Sequence, residues 1–122
     1  MTSTATLSAI EDTVQAYFEG LHHGDSARLR QVFHADARIV GHHQGAYASQ
    51  SLDEWLAEVD TLPKPVEQGE RVDMHIVAID ATGEAAAVKV AVLYLGLAFT
   101  DYLSLLCQGG AWVVMHKTYH HD

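Results

Sequence analysis

Asp101 has the setting in this chain that most invites chemistry. It stands in the run Phe99-Thr100-Asp101-Tyr102-Leu103-Ser104-Leu105-Leu106-Cys107. Strand alternation puts it on one face with Phe99, Leu103, Leu105 and Cys107. A carboxylate on an apolar face costs free energy unless it is paired or hydrogen-bonded. Burial raises its pKa and suits it to proton transfer. The competing reading is structural: Asp101 bonds a backbone amide or a tyrosine and fixes the strand. His116 is its candidate partner. Unbroken alternation along 111–119 sets His116 on one face with Trp112 and Val114, across a hairpin from the strand of Asp101. A His–Asp pair there could act as acid and base; a core histidine held by one hydrogen bond is the alternative. The same alternation turns Lys117 the other way, toward a dimer interface or solvent.

Other residues suggest binding. Tyr17, Trp55, Tyr94 and Trp112 could line a flat aromatic pocket, although aromatics at such spacings also make plain core. His34 and Asp36 follow the second helix and could rim that pocket or cap a surface turn. His42 and Tyr47, on a short hairpin, are further rim candidates. The chain has nine histidines, but local geometry does not gather them around a metal. His42 and His43 are adjacent and point to opposite strand faces. His116 and His120 share a face but lie about 13 Å apart at about 3.3 Å per residue, whereas zinc needs nitrogens at about 2 Å. His120-His121-Asp122 reads as a flexible end. No metal and no cofactor is assigned. The chain has no HExxH, GxSxG or phosphate-loop motif. The single cysteine, Cys107, lies in an apolar strand with no local cation, so a reactive thiolate is not expected.

The elements that must position these groups come in a clear order. Leu7, Ile10, Val14, Tyr17, Phe18 and Leu21 recur every three or four residues and predict a helix over 7–23. Ser8 and Glu11 have capping-box spacing, and His22-His23-Gly24 reads as its end. Asp25 caps a second short helix that buries Leu29, Val32 and Phe33. Short strands are expected over 37–43 and 46–49. Ser51-Leu52-Asp53-Glu54 opens a third helix with the stripe Leu52, Trp55, Leu56 and Val59, stopped by Pro63-Lys64-Pro65. Four long strands follow, over 70–80, 84–95, 99–107 and 111–119, with Gln108-Gly109-Gly110 as a hairpin turn. Helices followed by strands, not alternating with them, predict α+β with an antiparallel sheet. Apolar residues also appear on the face away from the helices. Tyr102, Leu106 and Met115 predict a homodimer through that outer sheet face.

Size and charge limit what the domain can do. A chain of 122 residues and 13.3 kDa should bury about two-thirds of its extended surface, roughly 13,000 Å². That is one core and a single domain over 1–122. The formal charge of −9 argues against nucleic acid and against anionic membrane surfaces as partners. Full protonation of the histidines would bring that charge to zero, so solubility should fall as pH drops toward the pI of about 5.3. The lone cysteine, the lack of a recognisable signal segment and the lack of a long apolar run lead to an expected cytoplasmic location.

The order of elements carries a resemblance. The segments Ala16-Tyr17-Phe18-Glu19-Gly20-Leu21-His22-His23-Gly24-Asp25, Phe33-His34-Ala35-Asp36-Ala37 and Phe99–Leu106, continued by Gly110-Ala111-Trp112-Val113-Val114 and Lys117-Thr118-Tyr119, resemble the nuclear transport factor 2-like superfamily. They look most like its putative lumazine-binding branch, over roughly residues 7 to 119. The resemblance implies a cystatin-like cone: a curved mixed or antiparallel sheet wrapped over three N-terminal helices, with a pocket at the wide end and dimerisation through the sheet. The superfamily holds cyclases, dehydratases, isomerases and non-catalytic binders, so fold does not fix chemistry. The expected function is a dimeric small-molecule-binding protein whose ligand is aromatic or pterin-like. The alternative is a cofactor-free lyase, isomerase or cyclase using Asp101 and His116 as acid and base. A bare dimerisation module is the third reading.

Overall fold

A computed structural model describes residues 2–122. Three helices pack on one face of a six-stranded sheet. The order along the chain is α1 (Thr4–His23), α2 (Ser26–Val32), β1 (Phe33–His43), β2 (Ala46–Ser51), α3 (Leu52–Thr61), β3 (Met74–Thr82), β4 (Ala85–Tyr94), β5 (Leu97–Gln108) and β6 (Ala111–His121). Across the sheet the order is β2-β1-β6-β5-β4-β3. Every pair is antiparallel except β1 with β6, which is parallel. The expected α+β cone of curved sheet over three helices is therefore present, with mixed rather than wholly antiparallel pairing.

Local chemistry sets the helix ends. Helix α1 begins earlier than the apolar period predicts. Its cap is Ser3, whose hydroxyl accepts from the Thr6 amide, and not the Ser8–Glu11 pair, which lies inside the helix. It ends as expected at Gly24, in the left-handed region at φ 57°. There the Gly24 and Asp25 amides donate to the carbonyls of Leu21 and Gly20, the closing pattern that glycine allows without strain. Asp25 caps α2 through the Arg28 amide. Ser51 and Glu54 form a reciprocal capping box on α3. The 70–80 strand starts late, at Met74.

The core joins Ile10, Val14, Tyr17 and Phe18 of α1, Leu29 of α2, Leu56 and Val59 of α3, and the inner faces of β4, β5 and β6. The described chain exposes 6678 Å², against about 19,000 Å² for an extended chain of this mass. This agrees with the two-thirds burial expected from size.

One irregularity decides which side chains reach the interior. Between β5 and β6 the register runs Leu103↔Lys117 and Ser104↔His116, then jumps to Leu105↔Val114. Met115 is the extra residue of a β-bulge. Alternation breaks there: Val114 and Lys117 both point inward, and His116 points outward with Ser104. The expectation that His116 shares the face of Val114 and Asp101 is thus corrected. So is the expectation that Lys117 points away.

Gly41 is the close-packed point on β1. It pairs with Tyr119, and a Cβ there would collide with the Tyr119 carbonyl oxygen and ring. We expect Gly41→Ala to lower unfolding stability by about 1–3 kcal/mol through overpacking, read from urea midpoints. A cost below about 0.5 kcal/mol would mean that β1 and β6 are less tightly joined than described.

Candidate functional site

The site grows from the need to satisfy one buried carboxylate. Asp101 is fully buried, between Val90 of β4 and Tyr119 of β6. The Tyr17 hydroxyl, from the middle of α1, donates to its Oδ2 at 2.5 Å. Lys117 Nζ lies 3.8 Å from the same oxygen. The other carboxylate oxygen, Oδ1, is buried without a partner. A helix and two neighbouring strands thus meet at one acid. The bulge at Met115 brings Lys117 to it.

Lys117 sits among aromatic faces. Its Nζ is 4.6 Å from the centroid of the Trp55 ring, 5.3 Å from Tyr17 and 5.5 Å from Tyr119. Such faces attract a cation, but they replace only part of its lost hydration. Burial therefore pulls the Lys117 pKa below the ordinary lysine value, and the charges of Asp101 and Glu58 oppose that fall only in part. Burial also pushes the Tyr17 phenol well above 10, helped by the charge and hydrogen bond of Asp101. Burial raises Tyr94 to about 12, with Glu58 and Glu70 adding to it. Tyr119 moves upward for the same first reason, with Glu58 next.

These groups open onto a cavity of about 280 Å³. Trp55, Glu58 and Leu62 of α3 and its C-terminal edge form one wall. Val92, Tyr94, Phe99, Asp101, Lys117 and Tyr119 form the sheet side, and His43, Gln44, Leu95 and Leu97 stand at the strand ends. Tyr94, like Asp101, keeps one buried oxygen without a partner. The rim is fastened by side chains. Gln50 Nε2 donates to Glu58 Oε2 at 2.8 Å. The Glu70 carboxylate accepts from the amides of Leu95 (2.9 Å) and Gly96 (2.7 Å). Those two residues form the β4–β5 turn with positive φ. Leu95 is strained there, and the two charge-assisted bonds hold it.

The structure sorts the residues singled out from sequence. Trp55 and Tyr94 line the cavity, and Tyr17 stands behind it through Asp101 and Lys117. Trp112 faces inward but lies at the far end of β6, where its carbonyl accepts from Thr13 Oγ1. His116 lies outside, beside Thr118 Oγ1. His42 is exposed on the outer face, paired with Tyr47, which is 72% exposed; the neighbouring His43 is the one that lines the cavity. His34 Nδ1 accepts from the Asp36 amide in the irregular first part of β1, away from the cavity.

Lys117, Glu58 and His43 were missed. Glu58 was legible, because it follows Trp55 by three residues and shares its helix face. Lys117 had no signal short of the bulge. The histidines do pair across strands, His42 with His120 and His43 with His121. Among the described residues, however, no three metal-ligating side chains converge. In the same residues no helix is long and apolar enough to cross a membrane.

Comparison with known proteins agrees with this architecture. The family described as "Putative lumazine-binding" matches residues 5–120. Aldolase FrzH of Cladobotryum sp. is 26% identical over 120 residues, covering 97% of this chain and 93% of that protein. A crystal structure of an NTF2-like protein of unknown function from Silicibacter pomeroyi superposes with a TM-score of 0.90 at 24% identity, covering all of both chains. Another, from Shewanella baltica, gives 0.88 at 27% identity, covering 100% of this chain and 98% of that one.

Three outcomes follow from these buried groups. Tyr17→Phe should cost about 2 kcal/mol, the worth of a hydrogen bond to a charged group. That cost should shrink by at least about 1 kcal/mol in an Asp101→Asn background, since contacting residues couple. Additive losses would refute the contact. The pH dependence has a definite sign. The unfolded chain holds the Lys117 proton more tightly, so stability owed to this group rises as pH climbs toward 10.5. Tyr94 acts in reverse: its contribution is complete below pH 10 and is lost as pH rises through about 12. Tyr94→Phe should flatten the fall in urea midpoint between pH 10 and 12.

Proposed function

The chain belongs to the putative lumazine-binding family of nuclear transport factor 2-like folds, and from that premise we propose that it binds a small, flat organic molecule inside the cone. The observation that carries this reading is the cavity itself. Apolar and aromatic walls surround two buried oxygens, Asp101 Oδ1 and Tyr94 Oη, that have no partner among the described residues. Buried polar atoms are nearly always satisfied, and a ligand with a donor near each would satisfy these two. Largely apolar walls with a few convergent polar groups are the usual composition of such sites. A volume of about 280 Å³ lies just below the usual range of roughly 300–1,000 Å³. It favours one or two fused rings, the size of a pterin, over a larger polycycle.

The protein acts as a homodimer in this proposal. Tyr102 and Leu106 are 52% and 39% exposed on the outer sheet face, and burying them against a second copy would remove that apolar surface from water. Sedimentation at tens of micromolar should give about twice the 13.3 kDa protomer mass; a protomer mass would contradict it.

A second reading has its own observation. Lys117 and Asp101 place a buried amine beside a buried acid at the cavity wall, the pairing needed to move protons on a carbonyl compound without a cofactor. The name of the Cladobotryum relative, an aldolase, points to the same class of chemistry. In this version Asp101 keeps the acid–base role expected from sequence, and Lys117 takes the place given to His116.

Fluorescence tests the binding reading. Trp55 lines the cavity and Trp112 does not. Titration with pterins and other bicyclic aromatics should therefore quench Trp55 selectively. Quenching should survive Trp112→Phe and vanish in Trp55→Phe. If none of these compounds alters emission or melting temperature up to millimolar concentration, the binding reading fails.

A further inference from the structure

We propose that Lys117 forms a protonated imine with an aldehyde or ketone group of the ligand, so that the cavity selects carbonyl compounds. The inference deepens the small-molecule reading and rests on it. Its ground is the placement of one amine. Lys117 Nζ reaches the cavity, its side chain is only 9% exposed, and no acceptor within the described residues hydrogen-bonds it. Asp101 Oδ2 is at 3.8 Å and is already taken by the Tyr17 hydroxyl. The amine is therefore held in place without being tied up. Lys64, in contrast, donates to the Gly24 carbonyl at 2.8 Å, and Lys89 lies over the Tyr102 ring on the outer sheet face.

The surroundings match each stage of that reaction. Attack needs a neutral amine, and burial favours the neutral form of Lys117. The ammonium passes one proton to Asp101. The nitrogen lone pair then forms the C–N bond while the carbonyl π pair moves to oxygen, which takes the proton back. Loss of water, carrying a further nitrogen proton, leaves C=N–H⁺. One ammonium and one carbonyl thus give one iminium and one water, with charge conserved and no oxidant or reductant consumed. The product cation remains where the ammonium stood, facing the Asp101 carboxylate and the rings of Trp55, Tyr17 and Tyr119. Asp101 Oδ2, 3.8 Å from the amine, is the oxygen placed to take and return that proton, while the Tyr17 hydroxyl holds the carboxyl group in position. A larger, hydrated binding site would lose this advantage, because water would compete for the iminium carbon.

Reductive trapping decides the matter. The full chain is incubated at neutral pH with 2-naphthaldehyde and sodium cyanoborohydride, the adducts are mapped by peptide mass spectrometry, and Trp55 emission reports occupancy of the cavity. We expect saturable quenching and a reduced adduct at Lys117 forming at least tenfold faster than at Lys64 or Lys89. Lys117→Met should abolish that adduct while quenching persists, and Asp101→Asn should slow it by tenfold or more. Saturable quenching with Lys117 unmodified, or modified no faster than the other two lysines, overturns the imine and leaves the binding reading standing. Absence of both quenching and adduct overturns both.

Discussion

A carboxylate without any exposure stands near the middle of the concave sheet face, and much of the architecture around it answers that fact. An isolated ionised group in such a place would cost several kcal/mol. Asp101 is instead met by a hydroxyl from α1 and an amine from β6. Tyr17 lies 84 residues away in sequence, so the acid also fixes how the helical layer sits on the sheet. Buried ionic groups add little stability over well-packed apolar side chains of the same volume, so this trio is a place to look for function.

The bulge at Met115 makes the arrangement possible. Without it, β6 would present His116 to the interior and turn Lys117 outward. With it, the strand keeps Val114 in the closed end of the core and delivers Lys117 and Tyr119 to the open end. Gly41 on the parallel neighbour leaves room for the Tyr119 ring. On the opposite side, α3 brings Trp55 and Glu58 over the same space, and the Glu70 carboxylate holds the strained Leu95-Gly96 turn at the rim. The cavity is thus an outcome of pairing irregularities and turn chemistry, while the core beneath it follows simple periodicity.

That division explains what could be read from sequence. The caps at Asp25 and Ser51–Glu54, the end of α1 at Gly24 and the four long strands are local signals, and each was legible. The inward face of Asp101 was legible too, because β5 alternates without a break from Phe99 to Leu105. What failed depended on register. A single bulge exchanges the faces of His116 and Lys117, and composition gives no sign of it. His42 and His43 differ only in face, which is set by how β1 meets β2 and β6. Trp112 shares a face with Asp101 but not an end of the sheet. Alternation specifies the side of a strand, and an eleven-residue strand spans about 35 Å. The early start of α1 escaped the periodicity because its first turn, capped by Ser3, is polar.

The central claim is that Lys117 stands inside an aromatic-lined cavity beside Asp101. Nuclear magnetic resonance of the Lys117 side chain tests it most directly, through the Cε and Hε resonances followed across pH. The account predicts protons shifted upfield by the rings of Trp55, Tyr17 and Tyr119, a titration midpoint below that of ordinary lysine, and a change in both on Asp101→Asn. Unshifted protons with an ordinary midpoint would place Lys117 in solvent on the outer face, as unbroken alternation requires, and would contradict the account.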